Sequence, residues 1–277
     1  MEINGKTAVY GIFGNPVSHS LSPVMHNAAF SSLGENRIYL PFQVADIAQA
    51  VLGLKALNIQ GVSVTIPHKE AVIPFLDEVD PVALKIGAVN TIEVLISEQG
   101  KKLRGSNSDW VGANRALSAH CDLAAAKAVV LGAGGSARAI AFGLLEAGAG
   151  VTLCSRTESR GRNLAMELGC DWQPLSRLEK LTGTVLVNAT SVGMVPNENV
   201  SLVASRELEK FRVVMDIVYS PLETRLLREA RAAGCHVVQG LDMLLYQGAA
   251  QFELWTALPA PIEVMRKALL VATGNQV

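Results

Sequence analysis

Apolar and polar positions along this chain fall into blocks that switch between two periods. Short apolar runs of strand length alternate with stretches whose apolar residues recur every three or four positions, the spacing of an amphipathic helix. Thr7 to Phe13 is the first strand. Ser22 fits an N-cap with Pro23 at the first helical position, opening a helix toward Gly34. RIYLPFQV, residues 37–44, is strand-like, Asp46 caps the next helix, and Val62 to Ile66 is a further strand. Asp80-Pro81 repeats the cap-plus-proline start before a short helix. Residues 91–107 read as a hairpin, because Gln99-Gly100 interrupts two apolar runs. A helix over Asp109 to His120 leads into a second region.

That region opens with the stretch around which the chain is organised, Val129 to Arg160. An apolar run turns through Gly132, Ala133, Gly134, Gly135 and Ser136 into a helical pattern that stops at Gly148, and a second apolar run, Val151 to Cys154, follows. This is the strand–turn–helix–strand of a dinucleotide site, whose glycines let backbone N–H groups approach a pyrophosphate at a helix N-terminus. Ala137 fills the last small position of the turn. An NAD site places an acidic residue after the second strand; here Ser155, Arg156, Thr157 and Arg160 offer hydroxyls and planar charged forks, which suit the 2′-phosphate of NADP. Alternation continues with a helix over Ser159 to Leu168, strands at Val185–Asn188 and Val213–Val218, a helix over Glu223 to Ala233, and a strand at His236–Gln239. Two more helices, about Asp242 to Ala257 and from Pro261 to Ala272, end the chain. The fold class is α/β and two-lobed: an N-terminal α/β substrate domain and a Rossmann-like, doubly wound NADP-binding domain. The boundaries expected are 1–107 for the substrate-binding and catalytic domain, 108–240 for the NADP domain, and 241–277 for helices packing back on the first.

Composition narrows the class. Apolar residues are 49% of the chain and mean hydropathy is +0.29, a bias produced by parallel sheets buried on both faces. Glu146 breaks the longest apolar candidate for a membrane span. The start MEINGKTAVYGIFG carries no basic, apolar and cleavage regions of an export signal. Cys121, Cys154, Cys170 and Cys235 have neither metal nor redox spacing and read as free thiols, and the net charge of −1 gives no support for a nucleic-acid surface. A cytoplasmic protein handling small molecules is expected, with no metal, membrane or nucleic-acid partner, as a monomer or homodimer.

In the first hundred residues several groups have two readings each. Ser18, His19, Ser20 and Ser22 crowd one loop; two hydroxyls near a helix N-terminus could hold a carboxylate, or Ser22 could only cap its helix. TIPHK, Thr65 to Lys69, lies where a strand ends and a helix is expected, the place where ligand groups gather in α/β sheets, yet a lone lysine is also an ordinary surface charge. Asn90 could be a turn residue and Asp109 the N-cap of the linking helix.

Together the strings NPVSHSLSP, VTIPHK, GAVNT, NSDWVG, GAGGSARA, SRTESR, NATSVGM, DIVYSPLET and GLDMLLYQ resemble the shikimate dehydrogenase family over essentially the whole chain. The resemblance implies Lys69 and Asp109 as the catalytic pair and Ser20, Ser22, Thr65, Asn90, Asp109, Tyr219 and Gln247 as substrate contacts. It implies cofactor contacts by Gly132, Ala133, Gly134, Gly135, Ser136, Ser155, Arg156, Thr157, Arg160, Ile217 and Gly240. Three positions depart from the family pattern: Ser63 stands where Asn is common, Ser108 where Thr is, and Arg225 where Pro is. The implied reaction is reversible reduction of 3-dehydroshikimate to shikimate by NADPH, a step toward chorismate and the aromatic amino acids. Rival readings are a quinate/shikimate or aminoshikimate dehydrogenase, and an NADP-sensing module without turnover.

Overall fold

A computed structural model of the chain describes residues 2–97 and 100–274. The chain forms two compact units. One runs up to Ser108 and resumes at Gln247; the other is Asp109–Tyr246.

The first unit is built from β1 (Ala8–Gly14), α1 (Ser22–Ser32), β2 (Arg37–Gln43), α2 (Ile47–Ala56), β3 (Gly61–Val64), β4 (Glu78–Val79), α3 (Pro81–Ile86), β5 (Thr91–Ser97) and β6 (Gly100–Ser106). Its mixed sheet has the order β2-β1-β3-β5-β6-β4. β1 pairs in parallel with β2 and β3, while β5 runs antiparallel to both β3 and β6. The two strands of the expected hairpin are thus present; Glu98 and Gln99, on which its turn falls, lie outside the described residues. Asp46 caps α2 by accepting from the N–H groups of Ala48 and Gln49, and Asp80 caps α3 through the N–H of Val82.

The second unit holds α4 (Asp109–Ser118), β7 (Lys127–Leu131), α5 (Gly135–Glu146), β8 (Gly150–Ser155), α6 (Glu158–Leu168), β9 (Asp171–Pro174), β10 (Val185–Asn188), α7 (Ser205–Leu208), β11 (Val213–Asp216), α8 (Arg225–Ala232) and β12 (His236–Val238). Then α9 (Gly240–Thr256) carries the chain back to the first unit, where α10 (Ile262–Ala272) packs against α1. The second sheet is parallel throughout in the order β9-β8-β7-β10-β11-β12, the doubly wound arrangement expected. The central strands β7, β10 and β11 are apolar at all but one end position, Lys127, Asn188 and Asp216, because both faces are covered. Ala128 and Val130 of β7 face one core with Ile140 and Leu144 of α5, whereas Val129 and Leu131 face the other with Leu226 and Leu227 of α8.

Several boundaries are corrected. Ser22 is not an N-cap: it is the first residue of α1, Leu21 precedes it, and no side chain caps that end, although the Ser20 hydroxyl accepts the Ser22 N–H at 3.3 Å. No α-helix follows TIPHK; turns lead to a single 3-10 turn at Ile73–Phe75, since Pro74 has no N–H to carry an α-helix through it. α8 starts after Thr224 rather than at Glu223, because the Thr224 hydroxyl caps the Leu227 N–H. Strand β9, short and polar as DWQP, carries no apolar alternation to signal it.

Candidate active site

In the first unit, the groups singled out from sequence gather where β1 and β3 end. The Thr65 N–H donates to the Phe13 carbonyl at 2.9 Å and the Asn15 N–H to the Ile66 carbonyl at 3.0 Å, so the loops after β1 and β3 run side by side. The first carries Ser20 and Ser22; the second carries Thr65 and Lys69. His68 is buried and its Nε2 lies 2.8 Å from the Val44 carbonyl, which pins the second loop. The Val89 N–H reaches the Lys69 carbonyl at 2.8 Å, and this places the lysine backbone beside the segment holding Asn90. Lys69 itself is half-buried.

Asn90 is the hub of this end. Its Oδ1 accepts from the Thr91 hydroxyl at 2.7 Å and the Ser108 N–H at 2.8 Å. Its Nδ2 donates to the Ser108 hydroxyl at 3.1 Å and to Oε1 of Gln247 at 3.4 Å. Asn90, Ser108 and Gln247 are all buried. Buried amides and hydroxyls persist only when they are bonded, so this cluster has one well-defined arrangement. Ser63, the departure noted above, is buried in the same core between Tyr39 and Gln251. Asp109 follows Ser108 as the first, buried residue of α4, so it lies within the helix rather than capping it from outside, and with Tyr219 it belongs to the second unit.

The second unit supplies a different chemistry at the carboxyl ends of its strands. Gly132 has φ +122°, and a Cβ there would press on the Ala189 carbonyl at 3.1 Å, so the turns after β7 and β10 touch in a way only glycine allows. These neighbouring strands lead to opposite halves of the sheet, which is the switch point where doubly wound folds bind ligands. α5 starts here after Gly134 with no side-chain cap, and a Cβ on Gly134 would meet nothing within 4 Å. A helix N-terminus beside open space suits a pyrophosphate. Gly240, first residue of α9, sits against the Ile217 carbonyl with no room for a Cβ.

At the end of β8, Arg156, Thr157 and Arg160 are exposed, as a phosphate clamp requires, but Ser155 is buried. Its hydroxyl donates to the Thr157 carbonyl at 3.1 Å and accepts from Nε1 of Trp172 at 2.9 Å. It shapes the loop from below. Trp172, from the unforeseen strand β9, is a residue the sequence reading missed, and the guanidinium of Arg162 lies 4.5 Å from its ring centre. The other omission is Asp216. Fully buried at the end of β11, it accepts from Nδ2 of Asn188 at 2.9 Å, the Val218 N–H at 3.0 Å and the Thr224 hydroxyl at 2.7 Å. Burial without a cation raises its pKa to about 6. Among the described residues no group of His, Cys, Asp and Glu side chains is placed to hold a metal ion, and no helix is long and apolar enough to cross a membrane.

Comparison with known proteins points the same way. A family model for the shikimate dehydrogenase substrate binding domain matches residues 12–92, and one for the shikimate 5′-dehydrogenase C-terminal domain matches residues 240–270. The chain is 46% identical to a shikimate dehydrogenase (NADP(+)) of Moorella thermoacetica, covering 99% of this chain and 96% of that one. It is 47% identical to the protein of the same name from Pyrococcus furiosus, over 97% of both. The crystal structure of Thermus thermophilus shikimate 5-dehydrogenase in complex with NADP(H) and shikimate superposes with a TM-score of 0.87 at 39% identity, covering 96% of this chain and 99% of that one.

Proposed function

This chain belongs to the shikimate dehydrogenase family, and we propose that it interconverts 3-dehydroshikimate and shikimate with NADP. The observation that carries the proposal is the buried, uncharged cluster of Asn90, Ser108 and Gln247 beside Thr65 and Lys69. Oriented amides and hydroxyls match the ring hydroxyls of a small polyol, and a ligand lacking those hydroxyls would leave them unpaired. Ser20 and Ser22 take the substrate carboxylate at the start of α1; Thr65, Asn90, Tyr219 and Gln247 orient the ring. In the reducing direction the substrate carbonyl carbon gains a hydride and its oxygen a proton. When bound, the nicotinamide supplies that hydride. The Lys69 ammonium gives the proton to the oxygen, and in reverse the neutral amine takes it from the hydroxyl, with Asp109 as the carboxylate partner of the pair.

For the cofactor, the open N-terminus of α5 and the turn from Gly132 to Ser136 receive the pyrophosphate. Arg156, Thr157 and Arg160 receive the 2′-phosphate over a loop shaped by Ser155, while Ile217 and Gly240 border the nicotinamide end. The test is the absorbance of reduced nicotinamide with shikimate or quinate supplied against NADP or NAD. Turnover confined to shikimate with NADP is the expected result. Equal turnover with quinate or NAD would move the chain to the rival dehydrogenases, and NADP binding without turnover on any of them would leave the sensing module.

A further inference from the structure

The sequence departure at Ser63 becomes meaningful through its neighbours. The Tyr39 hydroxyl donates to the Ser63 hydroxyl at 2.6 Å, and that hydroxyl donates to Oε1 of Gln251 at 2.7 Å. Nε2 of Gln251 then donates to the Thr91 hydroxyl at 2.9 Å and to the Asn90 carbonyl at 3.1 Å. The Thr91 hydroxyl closes the chain on Oδ1 of Asn90 at 2.7 Å. Every member is buried, from Tyr39 at 0% to Ser63 at 5% exposure. All donors point one way along the chain, so each link settles the orientation of the next. Because Ser63 donates to the Gln251 oxygen, the Gln251 amide cannot turn over without facing oxygen to oxygen at Asn90. Because Thr91 then donates to Asn90 Oδ1 alongside the Ser108 N–H, the Asn90 amide keeps its oxygen on the protein side and its N–H groups toward Gln247 and Ser108.

We propose that Gln251, set by Ser63 and Tyr39, is a positioning residue that fixes the amide orientation of Asn90 and thereby the affinity for the ring hydroxyls of the substrate. This rests on the substrate assignment of Asn90 above. Gln251 touches neither substrate nor cofactor in this scheme; it acts through Thr91 and the Asn90 backbone. Its place one helical turn after Gln247 puts both glutamines on one face of α9, where the first meets the amide of Asn90 and the second its carbonyl.

The experiment measures steady-state kinetics of shikimate oxidation with saturating NADP for Gln251→Met, Ser63→Ala, their double variant and Asn90→Ala. Thermal melts of each run alongside. Gln251→Met is expected to raise KM for shikimate roughly 3- to 10-fold, the scale of one mis-set hydrogen bond, with kcat and NADP affinity little changed. Ser63→Ala moves KM the same way by less, and the double variant matches Gln251→Met alone, because Ser63 works through Gln251. A merely structural role lowers the melting temperature and leaves KM at the wild-type value; that result overturns the inference, and Ser63→Ala reads it out if Gln251→Met does not fold. If Asn90→Ala raises KM while both Gln251→Met and Ser63→Ala leave it alone, the inference falls and the substrate assignment stands. If Asn90→Ala leaves KM unchanged, the assignment falls and the inference with it.

Discussion

Asp216→Asn is a conservative change in a buried, triply bonded site, and it should stabilise the second unit at neutral pH. The carboxylate has no cation beside it; its three partners, Asn188, Val218 and Thr224, are neutral donors. Burial lifts its pKa from 3.8 to about 6, a difference of roughly 2 units, or about 3 kcal/mol between its protonation states. A raised folded-state value means that the folded protein holds this proton more tightly than the unfolded chain does. The stability that Asp216 contributes is therefore complete below about pH 4 and is lost as the pH rises through about 6. Asparagine removes the ionisation and keeps the bonding. Its oxygen retains Asn188 and Val218, and its amide donates to the Thr224 hydroxyl, which already accepts the Leu227 N–H and can turn its own hydrogen aside.

The assay is urea unfolding of both proteins, followed by far-ultraviolet circular dichroism, from about pH 4 to about pH 8. Near pH 4 the two should agree. By about pH 8 the variant should be more stable by up to about 3 kcal/mol, less whatever the altered Thr224 geometry costs. Midpoint curves that stay parallel across the range would refute the reasoning, since they would mean that Asp216 titrates alike in the folded and unfolded chain. A carboxyl carbon resonance of Asp216 that fails to shift near pH 6 in the folded protein would refute it independently.

Three further outcomes follow from the two units. Lys69→Ala should lower turnover by roughly 10²- to 10⁴-fold with NADP affinity unchanged, measured by steady-state rates and by calorimetry; a near wild-type rate would remove Lys69 from proton transfer. Trp172→Phe keeps a ring under Arg162 but loses the N–H that holds Ser155, so NADP affinity should drop several-fold while NAD affinity is unmoved; equal losses for both would assign Trp172 to general packing. Gly161→Ala would ordinarily stabilise a helix interior by about 0.5–1 kcal/mol. Here a Cβ would strike Ser155 Oγ and Trp172 Nε1, so the melting temperature should fall instead, and a rise would show that the packing beneath the phosphate clamp is looser than described.

What was legible in the sequence, and what was not, divides by the range of the interactions. Val185–Asn188 was read to the residue, and β7, β8 and α5 were placed within a residue or two. A buried parallel strand is apolar at consecutive positions and the turn between β7 and α5 needs its glycines, so both signals are written locally. β9 escaped because Asp171, Gln173 and Pro174 supply no pattern; it is a strand because β8 pairs with it, and α6 shelters it. Ser22 was misread because a serine before a proline normally caps, whereas here the Ser20 hydroxyl takes the Ser22 N–H and Leu21 already has helical backbone angles. Ser63 is the instructive case. Its departure from the family pattern was visible at once, but its bonding partners lie 24 and 188 residues away, at Tyr39 and Gln251. Gln251 did leave a local trace, an amide one turn after Gln247 inside an otherwise apolar helix face. A buried amide in such a place must be bonded to persist, and once β3, β5 and α9 are packed together Ser63, Thr91 and the Asn90 carbonyl come within its reach, with the His26 ring also beside it. The change at Ser63 is thus absorbed by a partner on a distant helix rather than by its neighbours in sequence, and that partner joins the Ser108 N–H in holding Asn90.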